Sequence, residues 1–218
     1  MFVRKPYPRI GIVDIGCGNL KSIEAACLHA GVSASILQCP DQCANMDGLV
    51  LPGVGSFGFF MERLRQTNFE SAIKERVRSG GTLLGICLGL QVLFNSSDES
   101  KGVSGLSLLS GNVKKLPVID TEFKVPRVGW SKISPSEYGS FFRTNFDVDN
   151  QYFYFVHSYY AEPQDKEVCT SFVEANGLNV CASIETRQIV ATQFHPEKSG
   201  PEALKIFNYF ERKIRENS

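Results

Sequence analysis

Neither sign of charge prevails in this sequence. Lys and Arg number 23, and so do Asp and Glu, so no positive field draws in nucleic acid or an acidic membrane surface. No run of about 18 apolar residues, the length a bilayer span needs, occurs. The N-terminus MFVRKPYPRIGIVDIG sets two prolines and then an acid where a secretory signal needs an unbroken apolar core, and a cytosolic protein is expected. The seven cysteines (17, 27, 39, 43, 87, 169 and 181) form no C-x-x-C pair, and the only histidines are His29, His157 and His195. The closest spacing, Cys39 to Cys43, lacks the second ligand pair that zinc requires, so no metal is expected and the thiols fit a reducing compartment. Repeats, low-complexity tracts and linker-like composition shifts are missing too. The 218 residues are therefore expected to form one domain, with an ordered core from about 9 to 216.

What is present is an alternation. RIGIVDI (9–15) is a short apolar run closed by Gly16 and Gly18, and NLKSIEAACLHAG then spaces Leu20, Ile23, Ala26, Cys27 and Ala30 as one helical face. VSASILQ and DGLVLP (47–52) read as strands, FGFFMERLRQ and FESAIKERVRSG as helices, and GTLLGI (81–86) as another strand. Strands alternating with helices imply an α/β fold with a mostly parallel sheet covered on both faces. From about residue 103 the strand candidates crowd together: NVKKLPV, YFYFVHSYY, VCTSFVEANG, NVCASIET and QIVATQF. They predict an antiparallel extension, which the helix PEALKIFNYFERKI closes with Leu204, Phe207 and Phe210 on its buried face.

In open parallel sheets, reactive groups collect at the carboxyl ends of strands. Cys87 stands there, in Gly85-Ile86-Cys87-Leu88-Gly89, which has the form of a nucleophile elbow: a sharp strand-to-helix turn that only small flanking residues allow. The following LGLQVLF predicts a helix whose free amides and dipole favour thiolate. A thiol nucleophile needs a base, and the base needs an orienting acceptor. ATQFHPEKSG supplies His195 and Glu197 after another strand, with Pro196 breaking that strand. His157 competes as base, but it sits within an alternating strand pattern with no acid nearby. LPGVGSFG (51–58) offers backbone amides in a chain that Gly53 and Gly55 free to turn; with the amide of Leu88 they can form an oxyanion site. No G-K-[ST] follows it, and GCGNLK lacks the third glycine of a dinucleotide fingerprint, so no cofactor is expected.

LPGVGSFG, GICLGLQ and QFHPEKS, in this order, resemble the class I (triad) glutamine amidotransferases, which have a flavodoxin-like glutaminase fold. DIGCGNLKSI, GNVKKLPV, VPRVGW and YFVHSYY are further similar to one branch, the glutaminase subunits of imidazole glycerol phosphate synthases. The resemblance covers nearly the whole chain. It implies that Cys87 attacks the side-chain amide of glutamine, that His195 moves the proton, and that Glu197 orients His195. Gly53, Val54 and Leu88 fall on the family's oxyanion region, and Gln91 on a glutamine-contacting position. In the branch, ammonia passes to a (β/α)8-barrel cyclase subunit in a heterodimer, and Asn19, Trp130, Tyr154 and Lys198 match positions at that interface.

The 18 residues after Gly200 read as one helix, leaving no room for an ammonia-consuming domain, so the acceptor is expected on another protein. One segment departs from the branch: Pro126-Arg127-Val128-Gly129-Trp130-Ser131 stands where P-H-M-G-W-N is usual. Since paralogues supply ammonia for amidating surface-polysaccharide sugars, that partner stays open as an alternative. Two further classes are weighed: a partner-independent cysteine amide hydrolase, which would have no need of Gln91, and an inactive regulatory subunit, which would lack one of Cys87, His195 and Glu197.

Overall fold

The computed structural model describes residues 7–118, 125–139, 146 and 151–217. Its centre is an eight-stranded sheet. Strands β1 (Ile10–Val13), β2 (Ala34–Leu37), β3 (Gly48–Gly53) and β4 (Thr82–Cys87) run parallel, and the late strand β13 (Ile189–Thr192) joins them alongside β4, giving the order β2-β1-β3-β4-β13. Beyond β13 the sheet continues antiparallel through β12 (Leu178–Glu185), β11 (Cys169–Ala175) and the short β8 (Ser134–Pro135). Two smaller sheets stand beside it: β5 (Ser96–Ser97), β6 (Gly111–Lys115) and β10 (Tyr159–Pro163) in one, β7 (Arg127–Ser131) and β9 (Phe153–His157) in the other. The expected parallel sheet with an antiparallel extension is the architecture found.

Strand side chains alternate faces, which divides the core in two. Ile10, Ile12, Val50, Leu84 and Ile86 point to one side, where they meet Ile23 of α1 (Leu20–His29) and Ile206, Phe207, Phe210 and Ile214 of the C-terminal helix (Lys205–Asn217). Val13, Leu49, Leu51 and Leu83 point to the other. There Phe57, Phe60, Met61 and Leu64 of α2 (Phe57–Gln66) and Phe69 and Ile73 of α3 (Phe69–Arg78) cover them. Each such side chain contributes roughly 1.5–3 kcal/mol on burial. The N-terminus of α2 is capped from outside: Glu99 Oε2 accepts the Phe57 amide at 2.7 Å, and Ser100 Oγ accepts that of Gly58 at 3.0 Å.

Two expectations are revised, and one strand was not expected. The helix expected over 88–94 is a single turn, α4 (Leu88–Gln91). The carbonyls of Val92, Leu93 and Phe94 instead accept amides from residues 106–109, so the helical ladder has no acceptors with which to continue. One turn carries little of a helix dipole. YFYFVHSYY is two strands in different sheets, divided at Ser158, whose carbonyl takes the Leu116 amide. Residues 127–131, which carry Pro126 before them and Gly129 within, form strand β7 although neither residue favours one.

Candidate active site

Sheet register explains why residues far apart in sequence meet. Gly53 at the end of β3 is the partner of Cys87 at the end of β4, and Ile86 is the partner of Thr192 at the end of β13. Three neighbouring carboxyl ends therefore present Gly53-Val54, Cys87-Leu88 and residues 193–197 to one crevice. Cys87 turns the chain with φ 55° and ψ −108°, a conformation that costs a non-glycine residue about 1–3 kcal/mol. Its flanking glycines are required by contact. A Cβ on Gly89 would lie 1.8 Å from the Leu51 carbonyl oxygen, and one on Gly85 would lie 2.8 Å from that of Gly89. The turn packs directly on β3, and side chains beside the thiol would push it away.

His195 and Glu197 are both buried and joined by Nδ1 to Oε1 at 2.8 Å. A carboxylate can only accept, so Nδ1 carries a proton and Nε2 is left for chemistry. Nε2 has no conventional hydrogen-bond partner among the described residues. Burial disfavours the imidazolium, but interactions with the Cys87 and Glu197 side chains outweigh it and raise the pKa from 6.5 to about 10. The backbone is clamped as well. The His195 amide donates to Tyr154 O at 3.0 Å, the Tyr154 amide donates to Ser199 Oγ at 2.9 Å, and that hydroxyl donates to His195 O at 2.6 Å.

Cys87, Leu88, His195, Val54 and Gln91 line a cavity of about 280 Å³, together with Gly55, Glu99 and residues 156–159. That is just under the roughly 300 Å³ at which small-molecule sites begin, a size suited to one amino acid. Gln91 is buried, and its Nε2 donates to Tyr159 O at 2.8 Å and to Gln193 Oε1 at 3.0 Å. Gln193 in turn donates to Cys87 Sγ at 3.7 Å, and the thiol faces Val156 O at 3.9 Å. Sequence reasoning passed over Gln193, although its position two residues before His195 was a usable signal. Glu99 was passed over as well, with no local signal to find it. His157, expected within an alternating strand with no acid nearby, ends β9 and lines this cavity. Its Nδ1 bonds Tyr159 O at 2.9 Å, and burial, with Arg127 and His195 nearby, pushes its pKa down to about 4.

A second cavity of about 20 Å³ lies against Gly53, Val54, His195 and Glu197 and is also lined by Asn19 and Lys198. The Lys198 ammonium sits 5.9 Å from the Tyr154 ring, and Tyr154 meets Trp130 edge to face at 5.7 Å. Trp130 and Val128 are exposed on the outer face of β7. Arg127, one of the departures from the branch pattern, turns the other way: its guanidinium lies 4.8 Å over the buried Phe155 ring. Of the other cysteines, Cys39 is exposed and Cys17 half-buried, while burial pushes Cys27 up to about 12 and Cys43 up to about 11.

A doubly wound sheet with a thiol on a strained strand-end turn, beside a His–Glu pair, defines the triad glutaminase class of α/β proteins. Comparison with known proteins agrees. Residues 11–212 match the family "Glutamine amidotransferase class-I", to which this chain belongs. The chain is 42% identical over 191 residues to the "Imidazole glycerol phosphate synthase subunit HisH" of Prochlorococcus marinus, covering 88% of each chain. It is 41% identical over 206 residues to the protein of that name from Methanothermobacter thermautotrophicus, covering 94% of this chain and 99% of the relative. Among solved structures, PurLQS from Thermotoga maritima superposes with a TM-score of 0.73 at 18% identity, over 97% of this chain and 99% of that one, which is a likeness of fold. No helix among the described residues is long and apolar enough to cross a membrane.

Proposed function

We propose that this chain is the glutaminase subunit of an imidazole glycerol phosphate synthase, releasing ammonia from L-glutamine for a (β/α)8-barrel cyclase partner in histidine biosynthesis. The observation that carries the reading is the His195–Glu197 pair facing a strained Cys87 across a cavity of amino-acid size. The Cys87 thiolate adds to the side-chain carbonyl carbon of glutamine, and the amides of Leu88 and the Gly53-Val54 loop receive the oxyanion. Such a donor is typically worth about 3 kcal/mol. As the C–N bond breaks, His195 gives its proton to the leaving nitrogen, leaving a thioester. His195 then takes a proton from water, the hydroxide displaces the sulfur, and glutamate leaves. Glu197 keeps the imidazole oriented throughout, and Gln91 presents its carbonyl oxygen to the substrate, both of its N–H groups being engaged.

The small cavity behind His195 holds about one water-sized molecule, which suits ammonia leaving away from the entry side. Asn19 and Lys198 border it, and the Lys198–Tyr154–Trp130 cluster continues it to an exposed aromatic face suited to the partner. Arg127 points inward, away from that face, whereas Val128, which stands where Met is usual, lies on it beside Trp130. Glutamate release by the wild type and Cys87→Ala, alone and with a histidine-pathway cyclase, tests the proposal. Activity that depends on Cys87 and rises with the cyclase is expected. Full activity without any cyclase effect would overturn the partner, and activity independent of Cys87 would overturn the nucleophile.

A further inference from the structure

Gln193 is fully buried directly beneath the thiol, its backbone amide held by Ala182 O at 2.8 Å. Its side chain belongs to a line of amides whose direction is fixed at the far end. The carbonyl of Tyr159 can only accept, so the neighbouring end of the Gln91 amide must be its nitrogen. That nitrogen also bonds Gln193, which must therefore present oxygen to it, leaving the Gln193 nitrogen to face Cys87 Sγ. A backbone carbonyl thus dictates, through two glutamines, that the sulfur receives an N–H.

We propose that Gln193 is a positioning residue that holds the Cys87 sulfur and favours its thiolate, tying the nucleophile to the substrate-contacting Gln91. The inference rests on the glutaminase reading for the role of Gln91, while its effect on sulfur stands apart from it. The two contacts of the thiol act in opposite directions. Only the S–H form of the sulfur can donate to the Val156 carbonyl, whereas the Gln193 N–H bonds either form and bonds the thiolate more strongly. The other ionisable groups around the sulfur are His195 and Glu197 beyond β13, His157 at the end of β9, Arg127 opposite it on β7, and Glu99 in the cavity wall. None of them is itself changed by substituting Gln193, and comparing Gln193→Met, which also removes the acceptor of the Gln91 N–H, with Gln193→Glu, which keeps it, separates the two bonds.

The test is alkylation of Cys87 by iodoacetamide in the full chain, followed by peptide mass spectrometry from pH 6 to 9.5 in the wild type, Gln193→Met and Gln193→Glu. Met keeps the shape without the N–H; Glu keeps an acceptor for Gln91 and turns a negative charge on the sulfur. Alkylation at neutral pH is expected to fall by about tenfold in Gln193→Met and further in Gln193→Glu, converging on the wild-type rate at high pH. With the partner present, kcat should fall in both variants, while KM stays within about threefold in Gln193→Glu, which keeps the acceptor for Gln91. Wild-type alkylation rates in both folded variants would overturn the proposal. Should either variant fail to fold, the wild type decides: the Gln193 side-chain amide resonances must shift when Cys87 is alkylated, and unmoved resonances would overturn it. Loss of the glutaminase reading would show separately, as absent glutamate release with the alkylation effect intact.

Discussion

The end of β9 and the turn after β13 each bury a histidine in the wall of the same cavity, and the two rings are held in opposite states of charge. His157 and His195 are similarly inaccessible, at 5% and 3% exposure. Each directs Nδ1 at an oxygen acceptor and leaves Nε2 without a conventional partner among the described residues. Yet one pKa falls to about 4 and the other rises to about 10. Burial therefore does not choose the protonation state; the neighbours do. His195 faces a carboxylate and a thiol that gain from its charge, whereas His157 has a neutral carbonyl, the Arg127 guanidinium and His195 itself. The contrast supports the proposal that His195, and not His157, delivers the proton.

The largest effect that could break this contrast is on turnover. With the cyclase present, His195→Ala is expected to lower kcat by about 10³-fold or more, and His157→Ala by about tenfold. Comparable losses would mean that the roles are shared. Next is Glu197→Gln, which keeps the shape and removes the charge. It should cost about 10²-fold in kcat and bring the His195 titration, followed by NMR of its ring protons, down from about pH 10.

Folding stability should record the same contrast with opposite signs. A raised pKa stabilises fully below the unfolded value of about 6.5, and His195's contribution is lost as pH rises through about 10. A lowered pKa does the reverse: His157's contribution is present above about 6.5 and lost as pH falls through about 4. Urea midpoints for His195→Gln and His157→Gln across pH 4–10 should flatten the alkaline and the acid limb respectively. Gly89→Ala sharpens the geometric side, because its Cβ would collide with Leu51 O and displace the turn that brings Cys87 to His195. A stability loss of about 1–3 kcal/mol is expected from chemical denaturation. Smallest is Arg127→Gln, which should let His157 titrate slightly higher; an unchanged titration would remove Arg127 from the account.

Much of this was legible because the signals are local. The alternation of apolar runs and amphipathic helices fixed the parallel sheet, and glycines around Cys87 marked a close approach that the Leu51 and Gly89 carbonyls now explain. What escaped was set by tertiary competition. Nothing in LGLQVLF announces that residues 106–109 will take its carbonyls. His157 read as a strand residue, which it is; only the pairing of β9 with β7 turns it into the cavity. Gln193 shares the spacing of His195, but its meaning depends on Gln91, a hundred residues earlier in sequence and adjacent in space.

The central claim is that Cys87 is the one thiol built to react with glutamine. An electrophilic glutamine analogue, applied to the complex with the histidine-pathway cyclase and read by peptide mass spectrometry, tests it most directly. The account predicts one adduct per chain, on Cys87, suppressed by excess glutamine and abolished in Cys87→Ala. Labelling of another cysteine instead, or labelling of Cys87 that glutamine does not suppress, would contradict it.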